Sequence, residues 1–289
     1  MKPNVDLWRT MGAMPGFGSV NVDAFEVLPG GEIVFSLAED IFSETLGIMV
    51  QHGDLFSTSR KILRTNQELL SGFGITSTAP DAGLDALQIR DDGEILFSIK
   101  INTVAPRTGE MLTSGDILSS KGTVFRKHSD LLAAFHPSDS KNHGLDAIRV
   151  WPSGEVWFST EEGFNDNGIG PVMSGDILSD SGYIVFKNLE LTGAFAPLED
   201  VIEFGLDGVY VVSDSLSNSS QPRLQVTVSS SATGALDLSW TGPGRVFQVE
   251  GAFSTTGPFL PVSPFLPEVK WTDVGIQTRN VRFYRLRQW

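Results

Sequence analysis

The stretch Asp146–Ser159, DAIRVWPSGEVWFS, recurs along this chain, and its recurrence decides the fold. Close copies stand at Asp23–Ser36 (DAFEVLPGGEIVFS) and Asp85–Ser98 (DALQIRDDGEILFS), and Asp200–Ser213 (DVIEFGLDGVYVVS) reads as a fourth. In each copy Gly lies eight residues after Asp and Ser five after Gly, with no gap. Each sets two runs rich in Val, Ile, Phe, Trp and Tyr around PGG, DDG, PSG or LDG. Such runs suit a pleated, half-buried surface and such triplets suit a tight turn, so each copy predicts a β-hairpin.

A second motif follows three of the copies. Gly53-Asp54-Leu55-Phe56-Ser57, Gly115-Asp116-Ile117-Leu118-Ser119 and Gly175-Asp176-Ile177-Leu178-Ser179 each precede a polar turn and another apolar run. That adds a second hairpin and makes four strands per unit. The leading aspartates are spaced by 62, 61 and 54 residues. Self-similarity of this period marks stacked or radially arranged units, and closure into a ring protects sheet edges. The fourth unit lacks the Gly-Asp hairpin. Val5–Thr10, followed by Gly12-Ala13-Met14-Pro15, parallels Val185–Asn188 followed by Gly193–Pro197, so residues 5–10 are expected to be an outer strand closing the ring.

The reading is all-β: a four-bladed propeller-like domain over 1–214, with repeats starting near 23, 85, 146 and 200, then a linker over 215–222. Residues 223–289 hold five short β-type runs separated by SSSATG, TGPG and a Pro-rich stretch, which suits a small β-sandwich. The repeat units resemble NHL-type and related β-propeller blades, departing from them in long loops between second and third strands. The C-terminal segment, with Leu236–Trp240, Phe247–Glu250, Trp271–Val274 and Arg282–Gln288, resembles the fibronectin type III-like modules of exported bacterial proteins. That second resemblance implies an extracellular or envelope setting. Propellers serve as enzymes, glycan binders and scaffolds, so the first implies a fold rather than an activity.

Composition excludes several classes. The 289 residues contain no Cys, which rules out disulfides, thiolate metal sites and a Cys nucleophile. The net charge is −14, and the segment from Arg223 onward holds four acidic against seven basic residues, leaving −17 on the repeats. So acidic a surface argues against nucleic acid and anionic lipid as partners. No apolar stretch approaches the length of a membrane span, and Met1-Lys2-Pro3-Asn4 opens no signal peptide, so the expectation is either a cytoplasmic chain or a leader absent from this sequence. Phosphate-loop, dinucleotide-binding and G-x-S-x-G signatures are missing, and His52, His128, His136 and His143 show no short ligand spacing.

What remains are carboxylates and one tryptophan. Asp23, Asp85, Asp146 and Asp200 should occupy equivalent places near the axis, where they either ring a hard cation such as Ca²⁺, or each caps its own turn or bonds backbone of a neighbouring unit. Glu161 and Asp166, in the Asn/Asp/Gly-rich stretch 161–168, are further candidate Ca²⁺ ligands; a solvated acidic loop is the alternative. No other cofactor is implied. Glu39, Glu44, Glu161 and Glu162 could supply the carboxylate pair of a glycoside hydrolase or lyase. Trp151, at the hairpin turn, is a candidate sugar platform. The function these features favour is a non-catalytic binding or adhesion protein of the cell surface or matrix, with glycan or protein as ligand. The alternatives are a carbohydrate-active enzyme and a self-associating structural component.

Overall fold

The computed structural model describes residues 7, 12, 21–76, 79–195, 205–211, 225–230, 235–241, 246–274 and 282–289. The chain divides into two compact units, one of residues 1–151 with 156–210, the other of 211–289 with the turn 152–155. Among the described residues no helix is long and apolar enough to cross a membrane.

The first unit is a propeller-like series of four-stranded antiparallel sheets. The first sheet orders β1 (Val22–Val27), β2 (Ile33–Leu37), β5 (Leu55–Ser57) and β6 (Lys61–Arg64). Between its second and third strands stands a separate hairpin, β3 (Ile41–Ser43) with β4 (Ile48–Val50). The second sheet repeats this with β7 (Leu87–Ile89), β8 (Ile95–Phe97), β11 (Ile117–Ser119) and β12 (Thr123–Arg126), interrupted by β9 (Thr103–Val104) and β10 (Met111–Leu112). The third has β13 (Ala147–Val150), β14 (Val156–Ser159), β17 (Ile177–Ser179) and β18 (Tyr183–Phe186), interrupted by β15 (Phe164–Asp166) and β16 (Gly170–Val172). The stretches expected to be long loops are therefore paired strands. Their backbone groups bond across a second turn, which satisfies N–H and C=O groups that a loose loop would leave to water.

The repetition extends to single bonds. Val34, Leu96 and Trp157 pair with Ser57, Ser119 and Ser179, and each third strand carries a bulge at the same place. The Gly-Asp aspartates are clasps. Asp54 accepts hydrogen bonds from Gln51 N (3.1 Å) and Asn66 N (2.9 Å), Asp116 from Thr113 N (3.0 Å) and His128 N (2.9 Å), and Asp176 from Met173 N (3.0 Å) and Asn188 N (2.7 Å). One oxygen closes the turn before the third strand. The other accepts from an N–H in the first turn of the short helix after the fourth strand, at Asn66–Leu70, His128–Leu131 or Asn188–Thr192.

Consecutive sheets share their cores. Ala24, Val34, Leu55 and Leu69 of the first repeat pack with Leu84, Phe97 and Leu118 of the second, and Leu96, Ile117 and Leu131 of the second with Ile148, Phe158 and Leu178 of the third. The helical endings belong to this packing. Phe73 and Phe135 are buried, a side chain on Gly72 would meet Gly122 Cα at 2.6 Å, and one on Gly182 would meet Ala134 Cβ at 2.8 Å. Phe195 ends the third repeat and is 82 % exposed. Among the described residues no outer pair of strands follows it.

Two expectations are corrected here. Leu7 is helical rather than extended, buried with Val22, Phe35 and Phe56. It stands 62 residues before Leu69, also helical and buried, so Leu7 matches a helical position of the first repeat. The rest of residues 5–10 lies outside the described residues, as do Asp200 and the linker 215–222. The described part of the fourth repeat, residues 205–211, has Gly205-Leu206-Asp207, matching Gly83-Leu84-Asp85 and Gly144-Leu145-Asp146. Counted this way the spacings are 62, 61 and 61. The segment touches both ends of the series: Leu206 N donates to Asp146 Oδ2 (2.6 Å), and a side chain on Gly208 would meet the Phe25 ring at 2.6 Å.

The second unit contains two three-stranded antiparallel sheets. One orders β19 (Gln225–Ser230), β20 (Leu236–Thr241) and β23 (Lys270–Asp273); the other orders β22 (Leu260–Pro261), β21 (Phe247–Ala252) and β24 (Phe283–Gln288). Leu238 and Trp240 of the first pack against Phe247 and Val249 of the second, with the rings of Trp240 and Phe247 5.5 Å apart. Its buried acids are paired. Glu250 binds Arg285 and Arg287, and Asp273 accepts from Arg282 (2.6 Å) and from Tyr284 (2.7 Å), whose hydroxyl is pushed up to about 12 by burial and by that carboxylate.

Candidate functional site

Antiparallel order brings the start of each first strand, the inserted hairpin and the start of each third strand to one rim of the repeats. Three of the four expected aspartates converge there. Asp23, Asp85 and Asp146 are all buried, and they influence one another's ionisation. The fourth member is Asp207, whose carboxyl interacts with Asp146 and Asp23. Sequence reasoning missed it by matching Gly208 to the turn glycine of the other copies. The Gly-Leu-Asp triplet was the available signal.

Two further residues enter from the position fifteen after each Asp. In the second repeat this is Lys100, in the third Glu161 and in the first Ala38. Gly83 and Gly144 let the longer side chains in. Both have left-handed backbone (φ 71° and 67°), and a side chain on either would strike the Cβ of Lys100 or Glu161 at 2.9 and 2.8 Å. The first repeat has Asn21 at the glycine position and only Ala38 opposite.

Lys100 Nζ donates to Asp23 Oδ1 (2.8 Å) and lies 3.6 Å from Asp85 Oδ1. The second oxygens, Asp23 Oδ2 and Asp85 Oδ2, are buried without a hydrogen-bond partner. A buried carboxylate is tolerated only when paired or protonated. The Asp85 carboxyl is accordingly pushed up to about 8, by burial first and then by the charges of Asp23, Glu161 and Asp146, against the pull of Lys100. Burial also raises Asp23 and Asp146 above the usual carboxylate range. Asp207 is pushed up to about 6, by partial loss of solvation first and then by the charges of Asp146 and Asp23; its side chain keeps solvent access, which screens those charges. Burial disfavours the Lys100 ammonium, but its bond to Asp23 and the charge of Asp85 outweigh this and raise it. The cluster thus holds its own cation, and among the described residues no group of three or more His, Asp or Glu is placed to hold a metal ion.

The remaining candidates separate. Asp166 does not join Glu161: it is buried at the end of β15, where it accepts from Gly168 N (2.7 Å), Ile169 N (2.9 Å) and His136 N. These donors outweigh its burial and hold its carboxyl below the usual range, so it is a turn cap. Glu39, Glu44, Glu161 and Glu162 are all exposed, and Glu161 alone reaches the axial cluster. Trp151 is corrected from a surface platform to a packed side chain. It is 9 % exposed and lies edge-to-face on Trp157 with centroids 4.9 Å apart.

The inserted hairpins, which follow the second strands, show apolar side chains to solvent. Phe42, Ile48 and Met49 do so on β3–β4, Ile101, Val104 and Met111 on or beside β9–β10, and Ile169 on β15–β16. Ile101 directly follows Lys100 and is 55 % exposed.

No family model matches this chain, and no curated protein matches it. Several solved structures do. The extracellular domain of a hybrid two-component system from B. thetaiotaomicron aligns over 93 % of this chain and 42 % of its own length, at 9 % identity and a TM-score of 0.29. A virginiamycin B lyase from Staphylococcus aureus aligns over 87 % of this chain and 59 % of its own, at 12 % identity and a TM-score of 0.21. A streptogramin B lyase covers 55 % and 39 %, at 13 % identity and the same score. The chain thus spans between about two fifths and three fifths of the length of these structures. At such scores the likenesses assign neither family nor activity.

Proposed function

We propose that this chain is a non-catalytic binding protein of the cell exterior or envelope, with a protein ligand seated on the rim formed by the inserted hairpins. The observation that carries this is the exposure of apolar side chains on all three inserted hairpins. Soluble surfaces seldom gather large apolar groups in one place unless something covers them. A glycan ligand is less well served, because Phe42 is the single aromatic ring among those exposed apolar residues and Trp151 is packed away. We take the repeats as a four-bladed propeller, closed between the Asp207 segment and the first repeat. The contacts of Leu206 with Asp146 and of Gly208 with Phe25 support that count. The two sheets of residues 225–289, with their shared core, support the fibronectin-like reading, and the exported setting rests on that resemblance.

The test is to probe the purified chain on peptide and glycan arrays in parallel. The expected result is binding to peptides that combine basic and apolar residues, lost on the triple change Met49→Ser, Ile101→Ser, Met111→Ser. Binding to glycans that survives this change would replace the protein-ligand reading.

A second reading, self-association, has its own observation in Leu189 and Phe195, 62 % and 82 % exposed on the third repeat. Sedimentation of the wild-type chain beside Phe195→Ser decides it: an oligomer lost in the variant is the outcome this reading expects.

A further inference from the structure

We infer that the axial aspartate cluster is a recognition site for one organic cation, the ammonium or guanidinium group of a lysine or arginine side chain, and that Lys100 is its tethered internal competitor. This deepens the protein-ligand reading, on which it rests for the source of the cation.

Four observations support it. First, acids outnumber the ammonium they share: Lys100 Nζ lies 2.8 Å from Asp23 and 3.6 Å from Asp85, and its charge also acts on Asp146, Asp207 and Glu161. Second, Asp85 is 2 % exposed and Asp23 8 %, yet each keeps one oxygen without a hydrogen-bond partner. Such oxygens are costly to bury; they offer acceptor positions beyond those Lys100 fills, with Asp85 releasing its proton to solvent when a second cation arrives. Third, the repeat does not demand a lysine at this position, which is held by Ala38 and Glu161 in the neighbouring repeats. Its side chain is 30 % exposed at the rim, so it can swing outward and return. Fourth, the carboxylates are not grouped to hold a metal ion, whereas they already hold an alkylammonium by direct hydrogen bonding. The neighbouring apolar groups, beginning with Ile101, would receive the aliphatic stem of such a side chain.

The competitor is removed by Lys100→Met, which keeps the stem and deletes the charge. Melting temperature is then followed against n-butylammonium and n-butylguanidinium, with sodium chloride at equal ionic strength and tetramethylammonium as controls. The expected result is saturable stabilisation of Lys100→Met by the two probes, with a midpoint about tenfold lower than for the wild-type chain. Neither control should stabilise it, since tetramethylammonium has no N–H to donate. Adding Asp85→Asn should abolish the effect. No saturable shift, or an equal shift with Asp85→Asn, overturns the inference. Should Lys100→Met fail to fold, the wild-type chain titrated with the same probes still decides. Displacement must move the side-chain amine resonance of Lys100, and an unmoved resonance at saturation of the melting shift, or no melting shift at all, overturns the inference. These outcomes are independent of the peptide array. A pocket that takes n-butylammonium while the array stays blank defeats the protein-ligand reading alone.

Discussion

Lys100 donates a 2.8 Å hydrogen bond to Asp23, a residue 77 positions earlier, and so ties the second repeat to the first at the axis. With Asp23 and Asp85 both in reach, removing the ammonium leaves two buried carboxylates to compete for a proton. Lys100→Met is expected to lower stability by roughly 1–3 kcal/mol near neutral pH, below the cost for a fully buried pair because the lysine is partly in water. Asp23→Asn in the same chain should recover part of that loss. Urea denaturation of the two single variants and the double variant measures the coupling; additive losses would mean the contact contributes nothing.

Asp85 gives the cluster a pH signature. Its folded-state value of about 8 lies above the 3.8 of an unperturbed aspartate, so between those values the folded chain holds a proton that the unfolded chain has released. Stability from this group is therefore complete below about pH 4 and is lost as the pH rises toward 8, by at most about 1.4 kcal/mol per unit. The groups facing it are Asp23 and Lys100 from the first two repeats and Asp146 and Glu161 from the third. Asp85→Asn, neutral throughout, should flatten the fall in melting temperature between pH 5 and 8 relative to wild type. An unchanged slope would assign the dependence to other groups.

Much of this was legible in the chain itself. The fixed Asp–Gly–Ser spacing made three hairpins readable, and Gly-Asp marked three more, because turns need those residues at those places. The inserted hairpins were not legible. Phe164–Asp166 opposite Gly170–Val172 carries no apolar alternation, and such pairs form because a turn and a neighbouring sheet hold them. The fourth repeat was misplaced by seven residues because Gly208 imitates a turn glycine, while Gly205-Leu206-Asp207 carried the true register. Lys100 could not be foreseen at all. Its partner is set by the packing of one repeat on the next, not by any local pattern.

The clasp aspartates should be structural and costly to lose. Asp116 is 2 % exposed and accepts from two backbone N–H groups, those of Thr113 and His128. Asp116→Ala strands both donors and is expected to cost roughly 2–4 kcal/mol, with Asp116→Asn recovering part of it through its remaining carbonyl oxygen. Chemical denaturation checks this. A loss within about 0.5 kcal/mol would mean that water replaces the carboxylate without penalty.

Phe135 and Phe195 test whether the series of repeats is continued on the far side of the third. Both follow the short helix of their repeat, yet Phe135 is 4 % exposed and Phe195 82 %. Phe135 packs edge-to-face on Phe164 of the next repeat, with centroids 6.2 Å apart. Phe135→Ala should therefore cost about 3–5 kcal/mol, the range for a buried phenylalanine, whereas Phe195→Ala should stay within about 0.5 kcal/mol. The comparison is made by urea denaturation at two protein concentrations. If Phe195→Ala becomes costly only at the higher concentration, a second copy of the chain covers this face. If it is costly at both, residues of the same chain close over Phe195, and the face is interior.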